Sequence, residues 1–403
     1  MLSAPTGFLR KFDFVLMAAV TLLILLGIMM IASATRDVAS LADRTRSQIL
    51  FSIVGLAIVL IFSIIDYRLW TSTYLWIYGG LVLFLALGTL LGVEGEAGSQ
   101  SWINLGIAGF QPSELAKILL IIVLAQQLAV NADRIESLGT IIVSLIFVSI
   151  PAFLIFIQPD LGITVLIMAV WFVMVWFAGL RWEHVALFVV VGLVMSPVIW
   201  TQMEDYQRAR ITTFIDLDSD PDQAFNIRQA LTAVGNGSVN GTTVFGRGYM
   251  QGSQTQLRFL RVRHTDFIFA VIAEELGFVG AGAVLFLMGV VIFRIVRAGS
   301  LAPDMAGALI CYGVAMVIFF QTLVSIGMNV RLLPVTGLTL PFVSSGGSSL
   351  VTLLMGIGLV QSVLLRQDPR EALTTGGTIG NGGYGLSTAA RLQLESSRSL
   401  QQR

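Results

Sequence analysis

The sequence predicts an all-α polytopic membrane protein of about ten transmembrane helices, with a large extracellular loop between helices 7 and 8. Three observations lead there. Of the 403 residues, 56% are hydrophobic and only 12% are charged, whereas about a quarter of an ordinary soluble chain is charged. The apolar residues gather in long runs, and a run of roughly 18 or more reads as a membrane-spanning helix. A single long polar stretch, 202–266, interrupts them.

The runs are 14–34, 49–65, 70–92, 115–130, 138–157, 161–180, 185–201, 267–293, 305–329 and 347–365. Each must be helical, because hydrocarbon offers backbone amides no other partner. The first is too long for the apolar part of a secretory signal and no small-residue cleavage site follows it, so it reads as a retained anchor. The fourth opens on "GFQPSELAKILL", where Pro112 suits a first helical turn. Pro159 in "IQPDLGI" separates the fifth from the sixth. Cys311 in the ninth has no disulfide partner and reads as a small core residue. A Pro/Gly-punctuated stretch, "LLPVTGLTLPFVSSGGSS", leads into the tenth. Beyond it the chain turns Gly-, Ser- and Thr-rich, so 1–366 reads as one membrane domain and 367–403 as a flexible cytoplasmic tail.

Orientation follows from the bias of Lys and Arg toward cytoplasmic loops. With the N-terminus inside, nine basic residues (Arg10, Lys11, Arg68, Arg134, Arg181, Arg294, Arg297, Arg366, Arg370) face the cytoplasm. Four (Arg36, Arg44, Arg46, Arg331) lie in short outer loops. Both termini are then cytoplasmic in a multi-pass plasma-membrane protein. Zero net charge gives no sign of nucleic acid as a partner. The absence of an internal repeat disfavours transporters built on inverted repeats.

Charge inside the apolar runs is the functional signal, since a lone carboxylate at mid-membrane costs about 2.5–3.5 kcal/mol. "RVRHTDFIFAVIAEELG" (261–277) places Asp266 at a helix mouth, where it could cap the helix or act as a base. Arg261, Arg263 and His264 beside it would form a cationic rim suited to phosphates. Glu274 and Glu275 must be protonated, paired or turned to a polar cavity. Glu114 and Lys117 are three apart on one helix face, as an ion pair or as cavity lining. Asp160 is either a turn residue or part of the same site. These stretches and 332–349 converge on the outer side. The loop 202–266 carries seven Arg, seven acidic residues and a glycine-rich "GNGSVNGTTVFGRG", too much for a plain connector. "DLDSDPD" has Pro221 where a calcium loop needs glycine, which argues against an EF-hand. No Ser/His/Asp triad, zinc spacing or phosphate-binding Walker loop appears.

Taken together, "SWINLGIAGFQPSELAK", "QPDLG", "YQRARITTF", "QALTAVGNG", "GSQTQLRFL", "HTDFIFAVIAEELGFVG" and "LLPVTGLTLPFVSSGGSS" resemble the SEDS family, polytopic cell-wall polymerases of the RodA/FtsW kind. The likeness covers nearly all of residues 13–366 and leans toward the elongation-type, RodA-like members. It implies a peptidoglycan glycosyltransferase that polymerises lipid II at the outer face of the plasma membrane, working with a class B penicillin-binding protein. By the resemblance, the essential carboxylate falls on Asp266. Polar-cavity residues fall on Glu114, Lys117 and Asp160, and loop residues on Arg210 and Gln229. Gln321, Ser344 and Ser348 match family positions. Arg261 in place of a usual Pro, Ser325 where Asn is frequent, Ser345 in place of a common aromatic, and an insertion near Gly241–Phe245 are departures.

The reaction implied needs a base for a sugar hydroxyl and cations for a pyrophosphate leaving group. Arg210, Arg261, Arg263 and Lys117 are candidates for the second task. No organic cofactor is expected, although a divalent cation could share the charge. The competing class is a lipid-linked precursor flippase, which would need polar lining through the whole membrane depth; a scaffold would need neither the intramembrane Lys nor the paired carboxylates.

Overall fold

A computed structural model of the chain describes residues 11–36, 41–91, 103–104, 109–217, 219–237 and 244–367. The expected tail, 367–403, lies outside the described residues but for residue 367, and so do residues 241–243 of the insertion near Gly241–Phe245. Among the described residues the regular structure is helical except for a short antiparallel ladder, β1 (Ile103–Asn104) with β2 (Gly109–Phe110). The long helices are α1 (Phe14–Ala34), α2 (Ala42–Ile64), α4 (Tyr74–Leu91), α5 (Pro112–Val130), α6 (Leu138–Ile157), α7 (Leu161–Ala178) and α8 (Trp182–Gln202), followed by α12 (Ile268–Ser300), α13 (Met305–Asn329) and α14 (Gly347–Leu365). Between them stand the short α3 (Tyr67–Ser72), α9 (Asp205–Ile215), α10 (Pro221–Asn236) and α11 (Ser253–Gln256). Among the described residues eight helices are long and apolar enough to cross a membrane; α4 and α8 are apolar too, over shorter stretches. The protein is a multi-pass membrane protein.

Within the bundle α14 is the innermost span, with 89% of its apolar window buried, and α5 and α13 follow at 72%. These three carry many of the buried polar side chains, among them Glu114, Lys117, Gln321, Asn329 and Gln361. The opposite extreme is α8, exposed along nearly its whole length from Trp182 to Trp200. The loop 202–266 is not a plain connector. It folds into α9, closed by a reciprocal capping box between Glu204 and Gln207, and α10, begun by Pro221.

The eighth predicted span departs from expectation. An unbroken helix over 267–293 was expected, but α12 is broken at Gly277, where φ is 65° and ψ is −158°, a conformation open essentially to glycine alone. Two contacts with α13 show what the break does. Thr322 Oγ1 is 3.7 Å from Met288 Sδ, and Asn329 Oδ1 accepts from Ala270 N at 2.9 Å. Between those contacts α13 advances about 10 Å, while a straight α12 would advance about 27 Å. Residues 268–276 therefore fold over the end of the bundle and keep Asp266 close to it.

The break also frees backbone carbonyls, and the loop before α12 takes them up. Arg247 N donates to Glu274 O (3.0 Å) and Gly248 N to Glu275 O (2.9 Å), while Val279 N donates to Val244 O (3.3 Å). At the other end of the bundle, Asp13 caps α1 and accepts from Arg294 Nε at 2.7 Å. Asp304 accepts from Tyr67 Oη (2.6 Å) and Arg68 Nε (3.2 Å).

Candidate active site

Asp266 stands just before α12, and the helix does not use it as a cap. The cap position is Phe267, which makes no side-chain cap bond; Asn329 accepts the Ala270 N–H instead. The Asp266 carboxylate is thereby left for other work. Burial lifts its carboxyl above the usual carboxylate range, while Arg210 and a hydrogen bond from Thr265 pull it back. Ser344 seats this segment: its Oγ donates to Thr265 O at 2.7 Å and accepts from Leu340 N at 2.9 Å. Ser345 N donates to His264 O at 2.9 Å. The polar stretch before α14 thus lies directly on 264–266, and Gln48 holds it from α2 by donating to Ser344 O (3.3 Å).

A second group gathers at the start of α5. Lys117 Nζ stands 2.6 Å from Glu114 Oε2, with the two side chains only 1% and 8% exposed. Neither atom has a hydrogen-bond partner among the described residues, so the pair neutralises itself. Asp160 caps α7 through Ile163 N (3.1 Å) and accepts from Gln111 Nε2 (3.0 Å). Burial pushes its carboxyl up to about 6, against the Ile163 bond and the pull of Lys117 and Arg210; Glu114 adds to the rise. Gln111 N donates to Ser348 Oγ at 3.3 Å. Arg210 joins the two groups: it acts on both Asp160 and Asp266, and its Nη1 donates to Thr336 O at 3.1 Å.

Other expected site residues fall differently. Arg263 is not part of an open cationic rim. It is buried, donates from Nε to Ala34 O at 2.6 Å and from Nη1 to Leu260 O at 3.4 Å, and so fastens the loop to the end of α1. His264 is buried and offers its carbonyl to Ser345, whereas Arg261 is exposed. Gln321 is fully buried within α13, its amide without a partner among the described residues. Gln229 lines a separate open groove of about 340 Å³ with Leu217, Pro221 and Phe225. Glu274 and Glu275 are paired off by the loop. Glu274 accepts from Gln254 N, Thr255 N and the hydroxyls of Ser253 and Thr255. Glu275 accepts from Ser33 Oγ, Met250 N and Gln256 Nε2. They anchor the fold and do not line a transport path.

Among the described residues, no three His, Cys, Asp or Glu side chains gather where they could hold a metal ion. Sequence reasoning missed Gln111, Gln48 and Asn329. Neutral amides raise no alarm in a sequence, and their partners outside their own helix lie 49 to 298 residues away.

The chain is similar to known proteins over most of its length. Residues 13–368 match the family profile described as FtsW/RodA/SpoVE, cell cycle protein. The chain belongs to this family. Among its relatives it is 35% identical to the peptidoglycan glycosyltransferase MrdB of Escherichia coli K12 over 350 residues, 85% of this chain and 92% of the relative. It is also 35% identical to stage V sporulation protein E of Bacillus subtilis, over 87% of this chain and 96% of the relative. The fold is similar to a chain solved for the structural coordination of polymerization and crosslinking by a peptidoglycan synthase complex. There the TM-score is 0.75 at 30% identity, covering 89% of this chain and 99% of the other. It is similar as well to the rod shape determining protein RodA of Thermus thermophilus, with a TM-score of 0.64 at 29% identity, covering 88% and 96%.

Proposed function

We propose that this family member is a peptidoglycan glycosyltransferase that polymerises lipid II into glycan strands at the outer face of the plasma membrane, for cell elongation or division. The observation that carries the mechanism is Asp266. It is a half-buried carboxylate that the helix does not use as its cap and that feels the charge of Arg210, at the mouth of a broken helix. The names of the relatives, peptidoglycan glycosyltransferases among them, supply the substrate class.

The sugar 4-hydroxyl of an acceptor lipid II is a poor nucleophile until its proton is drawn off. Asp266 takes that proton as the hydroxyl oxygen bonds to the anomeric carbon of the donor strand. The bond from that carbon to the pyrophosphate breaks, undecaprenyl pyrophosphate leaves, and the anomeric centre inverts. A base acts best when its pKa approaches the working pH, which is the direction burial moves Asp266. The leaving group is anionic and needs cations more than an acid. Arg210 holds the best position for that charge, with Arg261 at the exposed edge and Lys117 deeper. The lipid tails stay in the bilayer while sugars and phosphates stay wet, so a site at a helix mouth suits both. A divalent cation at the pyrophosphate would share that charge. The likeness to a chain of a synthase complex supports a class B penicillin-binding protein as partner, and the distribution of Arg supports cytoplasmic termini.

The flippase reading loses support below Lys117. There α5 continues through Ile118 and the buried Leu120 to Ala125 as an apolar stretch. The deciding experiment is Asp266→Asn, purified and given labelled lipid II. It folds with the wild-type thermal midpoint and makes at least about 100-fold less polymer, the usual loss on removing a general base. Polymer at the wild-type rate rules the assignment out.

A further inference from the structure

The geometry points to Asn329 as a positioning residue for the proposed reaction: its single amide caps the helix behind Asp266, tethers the Asp266 backbone, and so keeps the catalytic carboxylate turned to the substrate side. The inference rests on the assignment of Asp266 as base. Asn329 is the last residue of α13 and is fully buried. Its Nδ2 donates to Asp266 O at 2.9 Å and to Ser325 O at 2.7 Å, and its Oδ1 accepts from Ala270 N at 2.9 Å. Both amide hydrogens and the oxygen are therefore engaged. The orientation is unambiguous, because a flipped amide would set oxygen against two carbonyls and N–H against N–H.

An acidic residue just ahead of a helix ordinarily accepts one of the orphan N–H groups of the first turn. Asp266 is the natural candidate, since Phe267 at the cap has nothing to offer. Had it taken that bond, its carboxylate would be turned into the helix and made less basic. Asn329 reaches in from a neighbouring span, takes the Ala270 N–H, and prevents this. Its second bond fixes the Asp266 carbonyl, so the residue cannot rotate about the helix mouth. The groups that face Asp266 are few: Arg210 from α9 and Thr265 beside it act on the carboxyl, and Ser344 from the stretch before α14 holds Thr265 O.

The test is the pH profile of kcat for lipid II polymerisation, measured on Asn329→Leu and Asn329→Asp, with Asp266→Asn as reference. In Asn329→Leu the freed Ala270 N–H recruits the Asp266 carboxylate. The expected result is a plateau kcat lower by about tenfold or more and an acid limb displaced by about one pH unit toward lower pH. In Asn329→Asp a carboxylate stands beside the Asp266 carbonyl, and like charge moves the acid limb to higher pH. Opposite displacements support the inference. Thermal unfolding confirms that each variant is folded, and a variant that fails to fold leaves the other to decide. An acid limb at the wild-type position in a folded variant overturns it, since a merely structural residue changes the amount of active enzyme and not its pH midpoint. If Asp266→Asn itself polymerises normally, the base assignment fails instead, which separates the two failures.

Discussion

At the scale of single residues, the Lys117–Glu114 pair shows how a membrane site keeps charge. Two charges taken out of water pay a desolvation cost that their attraction repays only while both are present. Lys117→Met should therefore strand Glu114 and cost about 3–5 kcal/mol of stability, read as a lower thermal midpoint in detergent. The double change Lys117→Met with Glu114→Leu should recover most of that loss, because a well-packed apolar pair avoids the desolvation altogether. Polymerisation should stay low in the double variant, which lacks the deep cation. A single Met variant as stable as wild type would mean that the pair is hydrated. The same cost explains which site residues could be read from sequence. Lys117, Asp160 and Asp266 stand out because charge inside or beside an apolar run needs a reason. Arg263 was misread because a charged letter does not say whether its head reaches a phosphate or the carbonyl of Ala34. Asn329 was invisible, being neutral and at a place where helices commonly end.

At the scale of elements, apolar run length locates the spans, because any backbone in hydrocarbon must close its hydrogen bonds internally. Run length does not see a break that the loop heals. "AEELGFVG" reads as uninterrupted helix, and the Gly277 conformation depends on a loop that inserts Gly246 and Gly248 from 29 to 31 residues upstream. Substitution tests the break directly. A Cβ at Gly277 would meet Gly246 N and Val244 O, and its φ and ψ are costly for any other residue, at about 1–3 kcal/mol. Gly277→Ala should lower the thermal midpoint, expose 244–256 to limited proteolysis and reduce polymer yield. Gly282→Ala in the same helix is the control: nothing lies within 4 Å of a Cβ there, so it should be neutral or slightly stabilising. Equal behaviour of the two variants would show that the helix runs straight.

At the scale of the whole molecule, two polar planes bracket the bundle. In α1 the Asp13 carboxylate meets Arg294, and twenty residues on, Ser33 meets Glu275. Along α12 nineteen residues separate Arg294 from Glu275. Twenty helical residues rise about 30 Å, the thickness of the hydrocarbon core. The lower plane holds Asp13–Arg294, Asp304 with Tyr67 and Arg68, and Asp66–Arg366. The upper plane holds the Glu275 network, with Asp266 folded over the bundle end beyond it. This separation fixes one axis and leaves its sense to the distribution of Arg, which predicts that the Asp266 end faces outward. Single cysteines introduced into a Cys311→Ala background can read that sense, since Arg331 and Ser300 are both exposed at opposite ends. In intact cells a membrane-impermeant maleimide should label Arg331→Cys and spare Ser300→Cys until the membrane is opened. The reverse pattern would put Asp266 on the cytoplasmic side, where an enzyme that builds wall strands outside the cell could not use it.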